Sequence, residues 1–257
     1  MQGLSTLSYI LVFTFIGSVG GLAGGLLLLT REKYTLKISH FLASFAAGVL
    51  LATAFFDLLP EAAETAEELG INIFLWTLVG IIIFFFTERF IHWFHHHEEY
   101  HEDEKSSKNS LPLIIVSDTI HNFLDGIVIA ATFLVNPAVG IITTLAVFAH
   151  EIPQEIGDFG LMLHKGMSKR NIIIVNILGA LSSFVGAILT YSLGNVLINY
   201  IPIFLAVTAG FFIYIAASDL IPEIHNERRK GYAMIESLML VLGIVLVFLS
   251  VTFLVKK

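Results

Sequence analysis

Eight apolar runs, each about as long as one membrane crossing, divide this chain almost from end to end. They are approximately Leu4–Thr30, Lys37–Leu59, Ile71–Phe94, Leu111–Val135, Val139–Leu163, Asn171–Asn195, Tyr200–Pro222 and Tyr232–Val255. A helix needs roughly 20 apolar residues to cross the hydrocarbon layer. Lipid offers no water to the backbone, so runs of this kind must satisfy their own N–H and C=O groups as helices. Hydrophobic residues make up 56% of the chain and charged ones 14%, with a mean hydropathy of +0.84, a balance that soluble domains do not approach. The expectation is an all-α integral membrane protein, one transmembrane domain over residues 1–257, with the lipid bilayer as its surroundings.

The basic residues orient it. Arg31, Lys33 and Lys37 follow the first run; Arg89, Lys105 and Lys108 follow the third. Lys165, Lys169 and Arg170 follow the fifth, and Arg228, Arg229 and Lys230 the seventh. Of the 14 Lys and Arg, 12 therefore share one side, and only Lys256 and Lys257 fall on the other. Positive charge is retained in the cytoplasm, so the chain reads as a multi-pass protein of the cell membrane with both termini extracytoplasmic. No Lys or Arg precedes the first run, and a cleavable signal peptide is not expected. The net charge of −7 comes largely from the clusters Glu61–Glu68 and Glu98–Glu104. No nucleic-acid partner is expected. With no cysteine, disulfides and thiolate ligands are excluded.

A repeat runs through the flanking thirds. Asp57-Leu58-Leu59-Pro60-Glu61 closes the second run and Asp219-Leu220-Ile221-Pro222-Glu223 closes the seventh, 162 residues later. At the same offset Gly48 meets Gly210, Ala47 meets Ala209, Ala54 meets Ala216, Gly17 meets Gly179 and Gly24 meets Gly186. The second run leaves the membrane outside and the seventh inside, so the two units have opposite topology. Runs 1–3 and 6–8 then form an inverted repeat around runs 4 and 5, a plan of secondary transporters whose substrate site lies at the midplane. Gly17, Gly20, Gly21, Gly24 and Gly25 offer small faces for close helix packing.

The middle pair of runs carries the chemistry. Asp118-Thr119-Ile120-His121-Asn122-Phe123-Leu124-Asp125-Gly126 lies in the fourth, and His150-Glu151-Ile152-Pro153-Gln154-Glu155-Ile156-Gly157-Asp158 in the fifth. An ionisable group at the bilayer centre costs roughly 2.5–3.5 kcal/mol on insertion scales. Asp118, His121, Asn122 and Asp125 stand at i, i+3, i+4 and i+7, one face of a helix. His150 pairs with Gln154 and Glu151 with Glu155 at i,i+4, and Asp158 continues that stripe. Pro153 removes a backbone donor and can open carbonyl oxygens to a cavity. Two facing helices of this type could ligate one or two divalent ions. Imidazole with carboxylate suits zinc, and also iron, manganese, cobalt and cadmium as divalent ions; pure oxygen sites suit magnesium or calcium better. A stabilising polar network between helices is the bland alternative. In the loop at 95–110, His95, His96, His97 and His101 alternate with Glu98, Glu99, Glu102, Asp103 and Glu104. On the orientation above it is cytoplasmic, and fits either a weak metal buffer or a charged linker.

These residues resemble the ZIP (Zrt/Irt-like) family of metal transporters. The resemblance rests on His121-Asn122-x-x-Asp125-Gly126 and His150-Glu151-Ile152-Pro153-Gln154-Glu155, and extends to the eight runs and the histidine-bearing loop. It implies influx of zinc or a related divalent cation to the cytoplasm through a midplane site, mono- or binuclear, and homodimers, which are frequent in the family. It further implies His121, Asn122 and Asp125 as ligands from the fourth run and His150 and Glu151 from the fifth. Position 154 is commonly His or Glu in the family; Gln154 is a weaker, neutral ligand. No sixth-run carboxylate transfers, since that region reads Leu181-Ser182-Ser183.

The metal is transported cargo on this reading, with no catalytic cofactor and no enzymatic activity. An intramembrane zinc hydrolase is the alternative, because His150-Glu151-x-x-Gln154 differs by one residue from H-E-x-x-H. Gln154 and Pro153 argue against it. A membrane metal sensor or structural metalloprotein is a third class.

Overall fold

A computed structural model describes residues 2–96, 111–197, 200–225 and 231–254. The loop expected at 95–110 falls almost entirely outside the described residues, as do the basic positions 228–230 and 256–257. Within them the chain is helical and contains no strand. The helices are α1 (Gln2–Thr14), α2 (Gly20–Thr53), α3 (Leu59–Ala66), α4 (Ile73–His96), α5 (Leu111–Val135), α6 (Pro137–His164), α7 (Lys169–Leu197), α8 (Ile201–Tyr214), α9 (Ile221–His225) and α10 (Tyr232–Leu254). Single π-helical turns join α1 to α2 (Phe15–Val19), α2 to α3 (Ala54–Leu58) and α8 to α9 (Ile215–Leu220).

Among the described residues, five segments are long and apolar enough to cross a membrane: Thr6–Glu64, Ile114–Val135, Lys169–Gly194, Ile201–Leu220 and Tyr232–Leu254. The first comprises 59 residues, more than one crossing needs, and α2 breaks within it at Arg31 (φ −139°, ψ 53°). Where a loop was expected after Thr30, the helix resumes at once. Residues 32–36 hold no glycine or proline to stop it. Thr30 Oγ1 donates back to Leu26 O and Leu27 O at 3.1 Å, and Lys169 Nζ meets Leu29 O, one of the last carbonyls before the break, at 2.9 Å. The lysine answers one of the unsatisfied acceptors at a helix end. Ile73–Thr87 in α4 is apolar but shorter. The 28 residues of α6 are long enough, but His150, Glu151 and Gln154 interrupt its apolar face.

Glycines set the helix contacts. A methyl at Gly48 of α2 would overlap the Leu240 carbonyl of α10, and one at Gly243 of α10 the Phe45 carbonyl of α2. Likewise Gly210 of α8 lies on the Thr77 carbonyl of α4, and Gly80 of α4 on the Val207 carbonyl of α8. Gly24 of α2 meets the Ile152 carbonyl of α6, and Gly126 of α5 the Ser183 carbonyl of α7. In lipid, such backbone approach is a main source of helix association, because burying apolar side chains gains nothing over lipid tails. The first half of α2 thus packs on α6, and α5 on α7. The second half of α2 packs on α10, and α4 on α8. Between these pairs the buried apolar cluster includes Leu50, Leu58, Ile129, Ile142, Leu205 and Phe212.

Candidate metal centre

Helices α5 and α6 are joined through Asn136 alone. Its backbone is extended (φ −154°, ψ 128°) and its Oδ1 accepts a hydrogen bond from Ala138 N at 2.9 Å, with Pro137 opening the helix. An asparagine N-cap followed by proline is a strong helix start, so the antiparallel hairpin is tightly registered. His121 lies fifteen residues before Asn136 and Glu151 fifteen after it. The turn therefore brings them to the same depth.

Four side chains meet there. One nitrogen or oxygen from each of His121, Asp125, His150 and Glu151 lies within 4.8 Å of all the others. His121 Nε2 stands 3.2 Å from His150 Nε2, 3.6 Å from Glu151 Oε1 and 3.9 Å from Asp125 Oδ2. His150 Nε2 stands 3.4 Å from Asp125 Oδ2 and 3.8 Å from Glu151 Oε1. Asp125, His150 and Glu151 are buried and His121 nearly so. His150 Nδ1 is 3.0 Å from Ala146 O. A carbonyl can only accept, so Nδ1 carries the proton and Nε2 presents its lone pair to the cluster. This is the outer-shell arrangement that orients a ligating imidazole.

The donor set fits a divalent cation. Among the described residues, the buried Asp125 Oδ2 and both buried carboxylate oxygens of Glu151 find no hydrogen-bond donor. No Lys or Arg among the described residues pairs with any of the four. Two unneutralised carboxylates in a dry interior are costly, and a cation shared with two imidazoles removes that cost. With no sulfur present, the set suits borderline metals such as zinc.

Among the histidine and acidic side chains expected at the site, these four converge. Asn122, Gln154 and Glu155, the other three candidate ligands, lie on the same two helices. Asn122 is fully buried; its Nδ2 donates to Asp118 Oδ1 at 2.9 Å and Asp118 O at 3.2 Å, leaving its own Oδ1 without a partner. Gln154 lines, with His121 and His150, a cavity of about 320 Å³ whose wall also includes Phe84, Ser117 and Asp219. Glu155 is buried one turn beyond Glu151, outside the four-residue cluster, and neither of its carboxylate oxygens has a hydrogen-bond partner. The sequence reading missed Phe84 and Phe212, whose rings lie 5.8 Å from His121 and 6.2 Å from His150. No signal distinguishes Phe84 from its neighbours Phe85 and Phe86.

Comparison with known proteins bears on these same helices. The family model described as ZIP Zinc transporter matches residues 4–112 and 112–250. Zinc transporter ZIP10 of Danio rerio is 35% identical over 148 residues, 55% of this chain and 18% of the relative. Zinc transporter ZIP10 of Homo sapiens is 40% identical over 116 residues, 45% of this chain and 14% of the relative. Zinc transporter ZIP13 of Pongo abelii is 32% identical over 226 residues, 81% of this chain and 65% of the relative. The chain thus spans under a fifth of the ZIP10 relatives and about two thirds of ZIP13. With both halves of the sequence matched around the buried His–Asp–His–Glu cluster, the chain belongs to the ZIP zinc transporter family.

Proposed function

We propose that this chain carries divalent transition-metal cations, zinc foremost, across the cell membrane into the cytoplasm. Iron, manganese, cobalt and cadmium are the related cargoes that the same donors accept. The observation that carries the reading is the buried cluster of His121, Asp125, His150 and Glu151, with ligand atoms within 4.8 Å of one another, beside an open cavity. Asn122, Gln154 and Glu155 complete the ligand set as the ion moves. The family is one of transporters rather than enzymes, and Gln154 denies a hydrolase its second histidine.

A cavity toward the cytoplasmic side is in keeping with delivery to that side. Its wall includes Thr87, Ser117, Gly157 and Asp219, which lie toward the side of Arg89 and Lys165, the face that charge bias assigns to the cytoplasm. The chain crosses the membrane eight times with both termini outside, α1 and the first half of α2 making the first crossing and the break at Arg31 turning it. The inverted repeat is supported by paired packing. Gly48 and Gly210, 162 residues apart, both rest on a backbone carbonyl, of α10 and α4 respectively. Phe45 and Val207, at the same offset, supply the reciprocal carbonyls to Gly243 and Gly80. The single domain comprises residues 1–257 and works as a homodimer in the bilayer, its cytoplasmic loop at 95–110 serving as a weak metal buffer or as a charged linker.

The test is uptake of radioactive zinc by cells expressing the chain, beside His121→Ala/His150→Ala at equal surface abundance. Saturable uptake lost in the double variant supports the proposal; equal uptake by both removes this site from transport.

A further inference from the structure

The two histidines of the cluster are held in different ways. His150 is anchored through Nδ1 to the Ala146 carbonyl at 3.0 Å on its own helix. His121 has no such anchor; its only hydrogen-bond contact among the described residues is the 3.2 Å approach of Nε2 to His150 Nε2. Ligating histidines almost always have their second nitrogen hydrogen-bonded, which fixes the ring. His121 has an aromatic ring beside it. Phe84 of α4 lies 5.8 Å away, centroid to centroid, at an interplanar angle of 89°, an edge-to-face geometry of the favourable kind. Phe84 is itself wedged, 5.4 Å from Phe211 and 5.4 Å from Tyr214 of α8, and is 8% exposed. Its support therefore comes from the α4–α8 pair and not from the hairpin that bears the ligands.

We infer that Phe84 is the positioning residue for His121, holding its ring edge-to-face so that Nε2 is directed toward His150, Asp125 and Glu151. The inference rests on the metal-site reading above and adds a coupling to it. Because Phe84 rides on α4 and His121 on α5, separating those helices frees the His121 ring and loosens the ion. Affinity then depends on how closely α4 approaches the hairpin. Phe84 also lines the cavity together with His121 and His150.

The experiment is zinc binding by the purified full chain, measured by competition with a fluorescent chelator. Phe84→Ala should weaken zinc about tenfold, the lower end of the range for losing an outer-shell partner, and Phe84→Tyr should restore it to within about threefold. In a His121→Ala background Phe84→Ala should add no further loss, since the ring it positions is gone; this non-additivity is the mark of contacting residues. An unchanged affinity in Phe84→Ala overturns the inference. So does an equal loss in both backgrounds, which would make Phe84 merely structural. If Phe84→Ala does not yield folded protein, Phe84→Leu, which keeps apolar bulk without a ring, carries the same comparison. A parent chain that binds no zinc would instead sink the metal-site reading, and this inference with it.

Discussion

His121 and His150, twenty-nine residues apart on antiparallel helices, bring their Nε2 atoms to within 3.2 Å. The Ala146 carbonyl keeps the proton of His150 on the far nitrogen, so the near nitrogen presents a lone pair. Two carboxylates complete the circle, Asp125 at 3.4 Å from His150 and Glu151 at 3.6 Å from His121. Without a cation the arrangement sets anionic oxygens against a lone pair in a dry interior. With one, each group has a partner.

Removing either a ring or a charge should stop transport and leave the fold. His121→Ala and Asp125→Asn are expected to lower zinc uptake by at least about tenfold, since even outer-shell losses reach roughly 10–100-fold. Near-normal uptake in both, with equal membrane insertion, would remove α5 from the ion path.

Gln154 shares the cavity wall with both histidines. An imidazole binds zinc better than a neutral amide, so Gln154→His should tighten zinc binding by about tenfold, or 1.4 kcal/mol. Calorimetry showing no change would place Gln154 outside the ligand set.

Packing at Gly126 should be unforgiving, because a methyl there meets the Ser183 carbonyl of α7 rather than a side chain that can turn away. Gly126→Ala is expected to destabilise by about 1–3 kcal/mol, the usual cost of overpacking. It should also shift Asp125, its neighbour, and so weaken zinc. An unaltered thermal midpoint in detergent would contradict this contact.

The hairpin cap is separable from the metal. Asn136→Ala loses the bond to Ala138 N and should cost about 1 kcal/mol of stability, while Asn136→Asp, which keeps the acceptor, should cost much less. Equal stability of the two variants would show that the cap does not register α5 against α6.

Much of this was legible before any coordinates. Asp118, His121, Asn122 and Asp125 keep helical spacing inside an apolar run, and polarity at that depth has to serve a purpose. The helix Leu111–Val135 has the bounds of the apolar run that announced it. What stayed hidden depends on distant partners. The continuation of α2 beyond Arg31 is aided by Lys169, 140 residues from the carbonyl it meets. That His121 and Asp125 meet His150 and Glu151 depends on how α5 and α6 rotate against each other, and spacing along one helix does not encode that. Phe84 sits among like neighbours in Phe84-Phe85-Phe86, and only the tertiary contact with His121 sets it apart.

The central claim is that zinc crosses the membrane through the His121–Asp125–His150–Glu151 cluster. It is tested most directly by zinc flux into proteoliposomes holding only the purified chain and an internal zinc indicator. Saturable flux that disappears in His121→Ala/His150→Ala is the result predicted here. Flux that persists in that variant, or zinc bound stoichiometrically by the parent with no flux of zinc, iron, manganese or cadmium, would contradict it.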